Sequence, residues 1–328
     1  MKFDQNYIEK IILKQKDNFE VLALEIFYHQ AKSNIVYKNY IQALNIIPDH
    51  IKSIEKIPFL PIDFFKTHSI KTGEYEPEII FSSSGTTGQS TSKHYLKATA
   101  DYEKTFTESF KSVYGNPDEY CVLALLPSYL ERDGSSLVYM VEKLIKESSD
   151  HDSGFFLYNH EELSKLLSKK EKEQKKTILI GVTFALLDFA ENFPQPLKHT
   201  IIMETGGMKG RRKEITRPEV HEILRKAFDT SSIHSEYGMT ELMSQAYSTG
   251  GESFVCPTWM SILVRETDDP FAVSKHGKGA FNIIDLANLN SCAFIATSDL
   301  GIVYEDGSFN VQGRMDHSDI RGCNLMIL

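Results

Sequence analysis

Residues 78–93 read EIIFSSSGTTGQSTSK. A short apolar run, Glu78 to Phe81, leads without a break into a loop of serine, threonine and glycine. The run predicts a strand. Glycine lets the backbone turn and lets its N–H groups approach an anion closely, and hydroxyls add donors without bulk. Ser83, Ser84, Gly85, Thr86, Thr87 and Gly88 therefore read as a phosphate cradle. No G-K-[ST] closes the loop, so this is not the P-loop pattern. A flexible polar linker has the same composition, and the segment alone leaves both readings open.

On either side of this loop the texture of the chain differs. Upstream, residues 1–75 form a helical segment: Tyr7, Ile8, Ile11 and Ile12 make one stripe, Tyr37, Tyr40, Ile41 and Leu44 another, and no glycine precedes Gly73. Pro48, Pro58 and Pro61 end that pattern. Downstream, apolar runs at 78–81, 120–126, 154–158, 177–182, 199–204 and 231–237 alternate with amphipathic stretches at 102–113, 137–145, 160–175, 184–192 and 213–228. Such alternation predicts an α/β core over 76–248, with a mainly parallel sheet covered by helices. Segments 258–264, 280–286, 292–297, 301–304 and 308–312 read as short strands, and Asp306-Gly307 is a hairpin signal. Residues 249–328 are thus expected to form a small antiparallel β subdomain.

The composition is ordinary for a globular protein: 328 residues, 41% hydrophobic and 25% charged, with net charge −9. An acidic balance argues against broad nucleic-acid binding. Cys121, Cys256, Cys292 and Cys323 lie far apart without a C-x-x-C, which gives no support to a zinc ribbon or a thioredoxin motif. The N-terminal residues lack the apolar core of a signal peptide, and no run is long enough to span a bilayer. The expected compartment is the cytoplasm.

Two further constellations carry chemistry. In His234-Ser235-Glu236-Tyr237-Gly238-Met239-Thr240-Glu241 a strand ends at an aromatic, a glycine, a hydroxyl and a carboxylate. The aromatic face can stack on a purine, and Glu241 beside Thr240 can hold Mg²⁺ while the hydroxyl reaches a phosphate. In Thr297-Ser298-Asp299-Leu300-Gly301, followed by Gly313-Arg314, the aspartate can accept from ribose hydroxyls with the arginine as a further donor. Taken singly, each segment also reads as turn residues.

Taken together and in this order, SSSGTTG, EYGMTE, SDLG and GRMD resemble the adenylate-forming superfamily of acyl- and aryl-CoA ligases, luciferases and peptide-synthetase adenylation domains, over residues 80–322. The resemblance implies the fold of their N-terminal domain. It implies ATP and Mg²⁺ as cofactors, residues 83–88 over the β- and γ-phosphates, Tyr237 against adenine with Gly238 beside it, and Thr240 and Glu241 at the α-phosphate and Mg²⁺. Asp299 and Arg314 would hold the ribose, and Gly206 and Gly207 would pass along the adenine. Residues 181–191 and 128–136 are candidates for the acyl pocket.

The chain stops at Leu328, without the second domain, carrying a catalytic lysine, that most members have. In length, in GVTFALLDFAE, in PFLPIDFFK and in the terminal RGCNL it resembles most the LuxE-type acyl-protein synthetases. That likeness implies activation of a fatty acid, or else an aryl acid, followed by transfer to Cys323 and collection by a partner reductase. A nearby Arg321 would favour the thiolate, whereas a buried structural cysteine is the plain alternative. Delivery to coenzyme A or an acyl carrier protein, and a non-catalytic nucleotide-binding module, are the other readings the sequence leaves standing.

Overall fold

The computed structural model describes residues 7–13, 18–83, 90–126, 134–207 and 215–315. The chain begins with helices α1 (Tyr7–Leu13), α2 (Phe19–Ser33) and α3 (Ile35–Ala43). Leu22, Ala23, Ile26, Phe27, Gln30 and Ala31 are buried along one face of α2, the spacing of three and four that a helical stripe requires. Asn34 separates the two longer helices and caps α3 by accepting the Tyr37 N–H. A two-residue strand β1 (Leu60–Pro61) and a single helical turn α4 (Phe64–Thr67) follow.

The decisive stretch then takes an unexpected partner. Strand β2 (Ile79–Ser82) pairs antiparallel with β3 (Lys93–Leu96) in a separate two-stranded sheet, rather than joining the parallel one. The chain returns directly through residues 83–92, whereas parallel pairing needs a crossover of a dozen or more residues.

Helix α5 (Thr99–Tyr114) leads into the α/β core: β4 (Cys121–Leu125), α6 (Ser136–Glu147), β5 (Gly154–Phe155), α7 (His160–Lys172), β6 (Thr177–Gly181), α8 (Thr183–Asn192), β7 (Thr200–Glu204), α9 (Arg217–Phe228), β8 (His234–Tyr237) and β9 (Ala246–Ser248). The sheet order is β5-β4-β6-β7-β8-β9, parallel except for β9. Every residue of β4 and β6 is buried, as expected for strands covered on both faces. Cys121 sits in this core, and burial pushes its thiol up to about 11.

The remaining strands are β10 (Met260–Arg265), β11 (Val273–Ser274), β12 (Gly277–Asp285), β13 (Phe294–Val303) and β14 (Phe309–Arg314). They form an antiparallel sheet, to which β1 adds in parallel along β13. The two strands expected at 292–297 and 301–304 are one strand, β13, with an irregularity at Leu300/Gly301. Gly301 makes this possible: a Cβ there would come within 1.9 Å of the Asn310 carbonyl oxygen and 2.4 Å of Phe281 Cζ. The Asp306-Gly307 turn joins β13 to β14, with Gly307 at φ +83°.

The N-terminal helices rest on this antiparallel sheet. Tyr37 stacks on Phe294 with ring centroids 6.2 Å apart. Gln30, fully buried, donates from Nε2 to the carbonyls of Asn288 (3.0 Å) and Leu289 (2.9 Å) and accepts the Ala293 N–H (3.0 Å). These are groups that no strand satisfies. Gln30→Leu leaves them bare at about 1–3 kcal/mol each before relaxation. We expect a loss of about 3 kcal/mol, read as a thermal midpoint lower by roughly 6 °C.

Candidate active site

The chain order of the parallel sheet reverses between β4 and β6: β5 lies on one side of β4, and β6, β7 and β8 follow on the other. Open α/β sheets bind ligands in the crevice outside the carboxyl ends of their strands at such a switch point. A cavity of about 190 Å³ lies there, lined by Leu126 after β4, Val182 after β6, Thr205-Gly206-Gly207 after β7 and Gly238-Met239-Thr240 after β8. Ser82 at the end of β2, Tyr102 of α5 and the Ser135-Ser136 start of α6 complete it. The sequence-predicted Gly206, Gly207, Gly238 and Thr240 thus meet in one place.

The Gly206-Gly207 turn is set by its own backbone and by a buried carboxylate. Both glycines have positive φ, +73° and +90°, a region that side-chain-bearing residues rarely adopt. Gly206 donates its N–H to Glu204 Oε2 at 2.7 Å, and Thr183 donates to the same oxygen at 3.1 Å. Burial alone raises Glu204, but hydrogen bonds from His221, Ser235 and the Gly206 N–H outweigh it and hold the carboxyl below its usual range. Glu236 borders the same cavity and behaves oppositely. Burial first, then the Glu204 charge, pushes its carboxyl from the ordinary 4.5 up to about 8.

Thr240 and Glu241 lie on a turn between β8 and β9 that belongs to neither strand. Three buried side chains from elsewhere hold it. His94 of β3 places Nδ1 2.8 Å from the Thr240 carbonyl and Nε2 3.2 Å from Asn288 Oδ1. Burial drives His94 down to about 4, so it is neutral, and we assign its proton to Nδ1, the shorter contact. Asn288 donates from Nδ2 to the Glu241 carbonyl at 2.8 Å. Asp285 accepts from the N–H groups of Met243 (2.8 Å), Ser244 (3.1 Å) and Ala287 (3.2 Å) and from the Ser244 hydroxyl (2.7 Å).

The Glu241 side chain is 4% exposed, and burial raises it despite a hydrogen bond from Ser92. A buried hard oxygen donor next to a hydroxyl-bearing residue fits Mg²⁺, which takes one or two carboxylates together with substrate phosphates.

Asp299 and Arg314 face each other across β13 and β14. Arg314 donates from Nε to Asp299 Oδ1 at 2.7 Å, and Tyr237 donates its hydroxyl to Asp299 Oδ2 at 2.8 Å. The Tyr237 ring packs on Phe254 (5.8 Å) and Phe309 (5.1 Å), leaving the residue 9% exposed. Ser83 closes the base of the β2–β3 loop: its N–H donates to the Ser92 carbonyl, and its hydroxyl accepts the Ser92 N–H. Ser84, Gly85, Thr86, Thr87, Gly88 and Cys323 lie outside the described residues.

Of the predicted acyl-pocket segments, Val182, Ser135 and Ser136 line the cavity. His234 serves structure: Nδ1 meets the Tyr114 hydroxyl at 3.1 Å, and burial, with His221 nearby, lowers it to about 4. Sequence reasoning passed over Glu236 and Gln245 as cavity residues and His94, Asp285 and Asn288 as supports. Strand parity carries the signal for Glu236, since β8 directs alternate residues to opposite faces and Tyr237 takes the other one.

Because the folded state holds the Glu236 proton up to about 8 while the unfolded chain releases it near 4.5, this group makes stability fall as pH rises through that window. Glu236→Gln removes the effect. Denaturant unfolding is expected to show the variant gaining on the wild type from pH 5 to pH 8, with no further divergence above that.

Among the described residues no helix is long and apolar enough to cross a membrane. A sequence comparison with curated proteins gives no match. Among solved structures, 2-hydroxyisobutyryl-CoA ligase in the postadenylation state with 2-HIB-AMP superposes with a TM-score of 0.66 at 11% identity, over 95% of this chain and 68% of that one. ATP-bound MatB from Rhodopseudomonas palustris gives a TM-score of 0.54 at 16% identity, over 74% of this chain and 49% of that one. This chain therefore spans about half the length of MatB and about two thirds of the ligase. These likenesses show the fold, that of the N-terminal domain of adenylate-forming ligases. The family model for LuxE acyl-protein synthetases matches residues 3–328, and the chain belongs to that family.

Proposed function

We propose that this protein converts a carboxylic acid and Mg-ATP to an acyl-adenylate and pyrophosphate, then passes the acyl group to a thiol. The observation that carries the reading is the convergence of Ser82, Gly206-Gly207 and Gly238–Thr240 on one cavity at the switch point of the parallel sheet. The adenylate-forming fold and the family support it.

A carboxylate is a poor electrophile because its leaving group would be oxide. Attack of its oxygen on the α-phosphorus expels pyrophosphate and leaves an acyl group whose leaving group is AMP. In this reading Thr240 donates its hydroxyl to the α-phosphate, and the Gly206-Gly207 backbone borders the adenine. The loop from Ser83 to Gly88 covers the outer phosphates. Asp299 already carries Arg314 and Tyr237, and its remaining lone pairs accept the ribose hydroxyls. Gly238, in this scheme, gives the nucleotide close access to the strand end. Glu241 would hold Mg²⁺, which would supply charge neutralisation at the phosphates. Apolar Leu126, Val138, Met140 and Val182 help keep water from the mixed anhydride.

The second half-reaction follows the family. A thiolate attacks the acyl carbonyl, the C–O bond to AMP breaks, and a thioester forms. Cys323 is our candidate acceptor, with a reductase or transferase as the partner that collects the acyl group; coenzyme A or a carrier protein is the alternative thiol. Of the described cysteines, Cys121 and Cys292 are buried, and burial pushes their thiols up to about 11 and about 12.

Acid-dependent pyrophosphate release tests the first step. Asp299→Asn is expected to raise KM for ATP by roughly tenfold or more, the scale of one lost hydrogen bond to a charged group. Intact-protein mass tests the second. With Mg-ATP and acid, the wild type gains a hydroxylamine-labile acyl mass that Cys323→Ser lacks. Pyrophosphate release without any mass gain assigns the acceptor to an external thiol.

A further inference from the structure

The switch-point cavity contains two polar side chains that the proposed nucleotide contacts do not use. Glu236 projects from the face of β8 opposite Tyr237, and its Oε1 lies so close to Gly238 that a Cβ there would come within 2.4 Å of it. Gln245 adjoins the same point, its Cγ 3.4 Å from that position. Gln245 is 3% exposed, and its amide oxygen has no hydrogen-bond partner among the described residues. The rest of the amide reaches the Tyr102 hydroxyl, which itself donates to the Ser136 carbonyl at 3.3 Å.

A buried amide oxygen left bare is costly, and so is a carboxyl set against hydrocarbon. Neutral at physiological pH, Glu236 offers an O–H donor and a carbonyl acceptor side by side. The fatty acid implied by the sequence resemblance would lay methylenes against both groups and satisfy neither.

We propose that the acid activated here carries a proton-donating substituent, a hydroxyl or an amino group, that hydrogen-bonds Glu236 and Gln245. The inference rests on the adenylation reading above and names its substrate class. A hydroxyl donates to Gln245 Oε1 and accepts the Glu236 O–H. An amino group donates to both residues. Leu126, Val138, Met140 and Val182 receive the carbon skeleton. Sites built around buried polar groups discriminate strongly against analogues that lack the partner group, because those groups are then left unpaired.

The test is acid-dependent pyrophosphate release by the full chain with Mg-ATP. The panel pairs two- to six-carbon acids with their hydroxyl- and amino-substituted forms, and adds tetradecanoate. We expect one substituted class to exceed its unsubstituted partner by at least about tenfold in kcat/KM, and the panel shows whether that class is hydroxyl or amino. Glu236→Leu is expected to bring that ratio to within about threefold of unity, while unsubstituted acids keep turning over. Gln245→Met, close in shape, is expected to narrow it in the same direction and serves if Glu236→Leu does not fold. Preference for tetradecanoate or for the unsubstituted acids overturns the inference and leaves adenylation standing, as does a ratio that neither variant moves. Pyrophosphate silence with every acid overturns the adenylation reading itself, and the inference with it.

Discussion

The turn that carries Thr240 and Glu241 has no ladder and no helix to satisfy its backbone, and everything at the candidate site depends on how that want is met. Asp285 takes the N–H groups of Met243 and Ser244 and the Ser244 hydroxyl, Asn288 covers the Glu241 carbonyl, and His94 covers that of Thr240. These supports come from the end of β12, the connection after it, and the β2–β3 hairpin. The parallel sheet supplies the strand ends, but the antiparallel sheet and the hairpin fix where the Thr240–Glu241 turn sits. Gln30 extends the chain of support one step further, because it holds the Asn288–Ala293 segment from the N-terminal helix.

Two carboxyls, Glu204 buried beneath the glycine turn and Glu236 half-buried on the cavity wall, divide their roles by environment. Glu204 gathers donors from Gly206, Thr183 and His221, and stays charged. Glu236 finds few, and feels the charge of its neighbour, so it keeps its proton. One therefore acts as a fixed anchor for the glycine turn. The other presents a neutral face to whatever enters. Opposed environments for paired acids are a common way in which a site obtains two chemistries from one residue type.

Much of this was legible from local pattern. The alternation of apolar runs and amphipathic stretches located β4 through β8 and the helices between them, because burial on both faces leaves a continuous apolar signature. Asp306-Gly307 announced its hairpin. The cavity residues Gly206, Gly207, Gly238 and Thr240 came from motifs, as did the Asp299–Arg314 pair. What stayed hidden was of two kinds. The partner of Ile79–Ser82 depended on how the chain returned, and the unity of β13 depended on Gly301 tolerating a backbone contact; neither leaves a mark in hydrophobic period. The buried polar supports were hidden for a different reason. His94, Asn288 and Asp285 each satisfy a group far away in sequence, and a lone histidine or asparagine looks the same whether it faces water or a carbonyl.

The bond between Gln30 and Asn288 joins residues 258 positions apart. During synthesis at 5–20 residues per second, the helix that bears Gln30 waits on the order of ten to fifty seconds for its partner to emerge. Throughout that interval Leu22, Ile26 and Phe27, which finish in the core, have no antiparallel sheet to cover them. The Thr240–Glu241 turn is likewise without Asp285 and Asn288 until the same segment arrives. The site is therefore assembled only once residues 285–293 have emerged, at the expense of a long-exposed apolar helix face.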